Sequence, residues 1–154
     1  MRIMLRYTGL IWLMIAAQAV PQPRQNLMPA VSGDLDVYES VVRYQIKSWD
    51  LAASTFCIEV DGKDADETLL NRLRPLPVKA ASGCDRESGR VKDKETKKAA
   101  VIFDIEEIRR ISDSKVEVEG GYWCGSQCMA EGVYHAVHEG PGWRVTSFDM
   151  KIIA

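Results

Sequence analysis

From residue 115 onward the apolar and polar positions alternate. Val116, Val118, Tyr122 and Cys124 fall on one parity, and Lys115, Glu117 and Glu119 on the other. A period of two sends the first set to a buried face and the charges into water, which predicts a strand. Gly120-Gly121 interrupts it, as paired glycines do at a bulge, a sharp twist or a close backbone approach. The run CGSQC, from Cys124 to Cys128, supplies a short hairpin loop. A second strand-like run holds Val133, Tyr134, Ala136 and Val137, and Gly140-Pro141-Gly142 turns the chain again. The last run opens with Trp143 and Val145, then shifts parity to Phe148, Met150 and Ile152. A parity change inside a strand predicts a bulge near Thr146-Ser147. Residues 115–152 therefore read as a three-strand meander in a strongly bent sheet.

Upstream the period changes. Residues 36–49 place Tyr38, Val42 and Trp49 on one helical face, with Val41 and Ile46 beside it, a stripe suited to lying on a sheet. Asp36 and Glu39 have the spacing of a capping box. Residues 55–60 (TFCIEV) read as a strand turned by Asp61-Gly62. Residues 66–73 read as a second helix, with Leu69, Leu70 and Leu73 inward and Pro75 behind it. Residues 78–84 form a weaker strand signal, and residues 99–111 (AAVIFDIEEIRRI) a strong one that Asp113-Ser114 turns into the meander. Between them, residues 85–98 carry charges of both signs and read as a solvated hairpin or mobile loop, with a basic binding loop as the alternative. The expected class is α+β: an N-terminal amphipathic helix packed on a curved, mainly antiparallel sheet that ends in a three-strand meander.

The first nineteen residues read as a signal peptide. Arg2 and Arg6 precede a short apolar core over residues 9–15, and Ala17 and Ala19 are small residues at the positions a signal peptidase reads. An uncleaved N-terminal anchor is the alternative. The apolar run is short for a membrane span, and no cysteine follows the cleavage position to carry a lipid. Residues 20–33 are polar, proline-bearing and patternless, a flexible leader. Residues 34–154 would then be one domain. Removing Arg2 and Arg6 with the signal leaves 18 basic against 22 acidic side chains, a net charge of −4. That balance argues against nucleic acid or an anionic membrane as partner. The expected location is secreted or periplasmic.

Four cysteines behind an export signal read as disulfides. Residues four apart in an extended strand lie roughly 13 Å from each other, too far for a bridge, but a turn at Gly125-Ser126-Gln127 brings Cys124 opposite Cys128. The favoured pairing is Cys124–Cys128 with Cys57–Cys84. Two other readings compete. A redox pair is usually spaced Cys-x-x-Cys at a helix start, unlike this one. Cys124, Cys128, His135 and His138 are metal ligands by type, but their spacing matches no zinc finger. Neither a metal nor an organic cofactor is expected.

Other candidate chemistry is sparse. His135 and His138 should point to opposite faces of one strand. His135 or Asp149 could serve as an acid–base group, with Tyr134 holding a substrate, although a lone strand histidine is more often a surface or packing residue. Asp104 would be a candidate base if it faced inward, but its parity opposes that of Phe103 and Ile105. Tyr122, Trp123, Tyr134 and Trp143 could line an aromatic ligand pocket; the plainer reading is that some of them complete the core. A glycine-rich phosphate loop, a Gly-x-Ser-x-Gly elbow and a His-Glu-x-x-His pair are all missing from the sequence.

The order of elements, an amphipathic helix, a mixed middle and a long closing meander, resembles the NTF2-like and cystatin-like group. The tail, with Gly132-Val133-Tyr134, a turn and then Gly142-Trp143-Arg144-Val145, is similar to the final strands of such domains. The resemblance implies a curved sheet wrapped around a helix to form a cone with a pocket; no residue role is carried over from it. The stretch EGGYWCGSQC is also similar to small exported bacterial proteins. The expected role is a non-enzymatic binding module for a protein or a small-molecule ligand. An enzyme with a concave-sheet pocket and a thiol–disulfide exchanger using Cys124 and Cys128 are the alternatives.

Overall fold

The structure, a computed structural model, describes residues 32–49, 55–86 and 89–153. The expected signal peptide lies outside them, as does the expected leader except for Ser32 and Gly33, which open the first helix. Helix α1 spans Ser32–Lys47. Strand β1 (Thr55–Val60) is followed by β2 (Lys63–Asp64), helix α2 (Glu67–Arg72), β3 (Val78–Ala80), a single 3₁₀ turn and β4 (Cys84–Asp85). Then come β5 (Lys92–Asp93), β6 (Ala100–Ser112), β7 (Lys115–Gly125), β8 (Cys128–Glu139) and β9 (Gly142–Ile153). Among the described residues no helix is long and apolar enough to cross a membrane.

The main sheet runs β2-β1-β6-β7-β8-β9, with β3 also paired to β1. The strands β6 to β9 form an antiparallel meander, in which the strand expected over residues 99–111 leads into the three expected after it. The sheet is nevertheless mixed, because β1 runs parallel to both β6 and β3. Breaks in register fall between Ile105 and Ile108 on β6 and opposite two places on β9. Ser147 and Val145 face His135 and Ala136, so Thr146 is the extra residue at the predicted bulge; Lys151 is extra at a second one. Such insertions bend a strand and raise its twist. Gly120-Gly121 is no bulge. It is a close approach: a Cβ on Gly121 would strike the carbonyl oxygen of Ala130 on β8, and one on Gly120 that of Asp104 on β6.

Helix α1 lies on the inner face of this sheet. Asp34 in its first turn and Lys47 in its last complement the helix dipole. Val37, Val41, Val42 and Ile46 form its buried stripe, packed with Phe56, Ile58, Phe103, Ile105, Val118 and Tyr134 from the strands, Leu69 from α2 and Leu73 at its C-terminal end. Burying each such side chain stabilises the fold by roughly 1.5–3 kcal/mol. The capping box expected at Asp36 and Glu39 does not form, because α1 begins a turn earlier. Both side chains instead pair with Arg72 of α2, and Glu39 also takes Arg43. The true cap in this region is on α2, where Asp66 accepts a hydrogen bond from the Leu69 amide at 2.8 Å.

A second, smaller cluster sits on the outer face: Cys57, Cys84, Val91, Ala100 and Ile102, with Trp123 against it. The segment expected to be a solvated or mobile loop is therefore largely pinned down. Its strands β4 and β5 pair, Val91 is buried, and Asp93 is 0% exposed. Asp93 accepts from the amides of Glu95 and Thr96 and from Thr55 Oγ1, and lies 2.9 Å from Lys79 Nζ. A buried carboxylate is tolerated only with such partners, and the local turn is the kind an aspartate side chain builds. Both disulfides, Cys57–Cys84 and Cys124–Cys128, are present, with Cα separations of 6.1 and 5.2 Å. The first ties β1 to the β4–β5 hairpin; the second closes the β7–β8 turn.

Candidate ligand-binding site

The last turn of α1 does not seal against the sheet. Here a cavity of about 430 Å³ opens between the helix and strands β7 to β9. The helix contributes Tyr44 and Gln45, and the turn just beyond it Ser48 and Trp49. Its end is tightened by hydrogen bonds from the amides of Ser48 and Trp49 to the carbonyls of Gln45 and Ile46. The strands contribute Tyr122, Tyr134, Phe148 and Met150, all on the inner parity of their strands. The break in register at Thr146 is what sets Phe148 and Met150 on that face: without the extra residue their parity would oppose Trp143 and Val145.

The aromatic rings support one another. Tyr134 stacks on Phe148 with centroids 4.3 Å apart and meets Tyr44 edge-on at 6.0 Å. Trp49 stands edge-on to Tyr122 at 5.1 Å and reaches Phe103 in the core at 6.4 Å. These offset and edge-to-face arrangements are the favourable ones for rings, and they hold the walls in place. Met150, 46% exposed, is the most open of the lining residues that carry an apolar side chain.

The polar element is Gln45, only 4% exposed on the buried stripe of α1. Its Nε2 donates to the Gly121 carbonyl at 2.8 Å and to Tyr134 Oη at 3.0 Å, tying α1 to β7 and β8. Its Oε1 is buried without a partner among the described residues. Leaving such an acceptor unpaired costs roughly 1–3 kcal/mol, so it needs a reason. The Tyr134 hydroxyl has its pKa pushed up to about 12 by burial; the Gln45 bond pulls the other way, and the nearby Tyr44 and Tyr122 add to the rise. Tyr134 is thus a neutral phenol at any ordinary pH, a hydrogen-bonding group and no base. The lining residues carry no carboxylate, imidazole or thiol.

The four aromatic residues singled out from the sequence are not gathered in one place. Tyr122 and Tyr134 line the cavity. Trp143 lies on the same face but walls a neighbouring groove and meets His138 edge-on at 5.2 Å. Trp123 points to the outer face, beneath the Arg86 guanidinium at 5.9 Å. The strand alternation itself already separated Trp123 from Tyr122. Conversely, Tyr44, Gln45, Ser48, Trp49, Phe148 and Met150 were not expected at a site. The available signal was Gln45, a polar residue four positions after Val41 in an otherwise apolar stripe.

His135 and Asp149 do meet: the imidazole Nε2 lies 3.0 Å from Asp149 Oδ2, and Nδ1 lies 3.6 Å from Glu117. They do so on the outer face of β8 and β9, with Asp149 largely exposed, while Tyr134 projects to the inner face. The three therefore do not form one constellation. His138 takes the opposite parity from His135, and Cys124 and Cys128 are bonded to each other, so the four metal-ligand types do not converge. Asp104 is on the outer face, as its parity indicates, yet half-buried there; burial first, then Glu106 and Glu59, push its pKa up to about 6, with Arg86 opposing. No protein-family model, curated protein or solved structure matches this chain.

Proposed function

We propose that the protein is a non-enzymatic binding module of an extracytoplasmic compartment, and that it takes a small, largely apolar ligand into the cavity between α1 and β7–β9. The signal-like N-terminus and the two disulfides support the compartment. The observation that carries the binding reading is the cavity itself: about 430 Å³, walled by five aromatic side chains, among them the buried, neutral phenol of Tyr134, around one buried amide. Pockets for small ligands are typically of this size and composition, mostly apolar with a few fixed polar groups. A helix held in a curved sheet with a pocket at its open end is also the arrangement that the NTF2-like and cystatin-like resemblance implies.

The test is a fluorescence titration of the full chain, with both disulfides formed, using the uncharged probe phenylnaphthylamine. Saturable one-to-one binding is expected, weakened about tenfold when Phe148 is changed to alanine, because roughly 1.4 kcal/mol of ring contact is removed. Absence of saturable binding, or affinity in both Phe148→Ala and Tyr122→Ala equal to that of the parent, would remove the cavity from consideration.

A further inference from the structure

Beside the aromatic cavity, and sharing Tyr44 and Ser48 with it as common wall, runs a groove of about 580 Å³ between α1 and the start of β9. Its charged lining residues are Arg43, Lys47 and Arg144, all of one sign; no carboxylate lines it. This is against the trend of the chain, whose net charge is −2. The three cations differ in how far they are committed. Arg43 is held by Glu39 at 2.9 Å and donates to the Arg72 carbonyl, and Arg144 is held by Glu139 at 2.7 Å. Lys47 makes no ion pair with any of the described residues and is exposed on the last turn of α1. Trp143 gives the groove a flat apolar wall.

We propose, resting on the cavity reading above, that cavity and groove form one two-part site for a dissolved amphipathic anion. The apolar ring or chain enters among Tyr122, Tyr134 and Phe148. The acidic head, a carboxylate, sulfonate or phosphate, emerges past Tyr44 and meets Lys47, with Arg144 beside it. An ammonium group on a flexible stem suits a head of variable geometry, where a fixed bidentate fork is not needed. Because the contact is at the rim and partly in water, its contribution is modest and sensitive to salt. Specificity for the charged over the uncharged form follows from it, while most of the affinity comes from the cavity.

The experiment compares two probes that share one ring system. Anilinonaphthalene sulfonate differs from phenylnaphthylamine by its sulfonate. The full chain should bind the sulfonate more tightly. Lys47→Ala should weaken the sulfonate about threefold, the effect of one exposed ion pair, and leave the uncharged probe unchanged. Lys47→Glu should weaken it further, Lys47→Arg should restore it, and high salt should narrow the gap between the probes. Equal affinity for both probes, or a Lys47→Glu protein that binds the sulfonate like the parent, overturns the two-part site while the cavity reading stands. If neither probe binds, the cavity reading fails and this proposal with it. Co-sedimentation with anionic phosphatidylglycerol vesicles, without binding of the dissolved sulfonate, would mark the basic groove as a lipid-surface contact and overturn the proposal.

Discussion

Asp93 is the residue whose replacement tests the fold most sharply. Its carboxylate is wholly buried, and its two oxygens accept from Thr55 Oγ1, Lys79 Nζ and the amides of Glu95 and Thr96. Asn keeps the shape but turns one acceptor into an NH₂ donor. Turned one way, that donor opposes the two amides; turned the other, it opposes the Lys79 ammonium, although the Thr55 hydroxyl can rotate to accept. Either way at least one charge-assisted bond is lost and another weakened, and such bonds contribute roughly 1.5–3 kcal/mol each. Lys79 is partly in water, which reduces its share. Asp93→Asn should therefore cost about 3 kcal/mol, a fall in melting temperature on the order of 10 °C for a chain of this size. The assay is urea unfolding followed by tryptophan fluorescence, repeated from pH 7 to pH 2. The Thr96 amide, Lys79 and Thr55 hold the Asp93 pKa below the ordinary carboxylate range. A group whose folded-state pKa is depressed contributes its stability in full above the unfolded value, about 3.9, and loses it as the pH falls below that. The gap between parent and variant should thus be complete at pH 7 and shrink below about pH 4. A gap under about 1 kcal/mol at pH 7 would refute the reasoning, as would one that stays constant down to pH 2.

Asp104 should show the opposite sign. Its pKa is raised to about 6, so the folded state holds a proton more tightly than the unfolded chain and loses stability as pH rises from about 4 through 6. Asp104→Asn should melt a few degrees higher than the parent at pH 8 and alike at pH 4; no gain at pH 8 would show that the site is better solvated than its burial implies. The two disulfides should differ in weight. By loop entropy, Cys57→Ser with Cys84→Ser should cost about 3.5 kcal/mol for a separation of 27 residues, and Cys124→Ser with Cys128→Ser about 2 kcal/mol for a separation of 4. Equal losses by denaturant unfolding would set that account aside.

Much of this architecture was legible because its signals are local. The meander announces itself through alternation on β7 and through turn formers at Asp113-Ser114, at CGSQC and at Gly140-Pro141-Gly142. The bulge at Thr146 showed as a change of parity. The two disulfides follow from cysteine count and the hairpin turn. What was hidden depends on long-range pairing. Nothing within TFCIEV states that β1 lies parallel to β6, and no local pattern reveals that Asp93, in a stretch crowded with lysines, is the buried anchor of its hairpin. The cavity was half visible: Tyr122 and Tyr134 lie on strands whose faces could be read, but Tyr44 and Gln45 enter only once the helix is laid across β7 and β8. Residues on two elements become neighbours by packing geometry, which a one-dimensional pattern carries only as a polar break in an apolar stripe.

The two register breaks on β9 reach beyond the cavity. Among the described residues β9 is paired on one side only, and it is twelve residues long with Met150 and Ile152 about half-exposed. A flat strand of that length, with its amides and carbonyls free on one side, is a template on which a second, unfolded chain can grow a continuous sheet. Extra residues at Thr146 and Lys151 spoil the spacing that such growth requires, since an incoming strand cannot follow a hydrogen-bond rhythm interrupted twice within six residues. The insertion at Thr146, which sets Phe148 and Met150 on the cavity face, thus acts with the one at Lys151 against further pairing along this border.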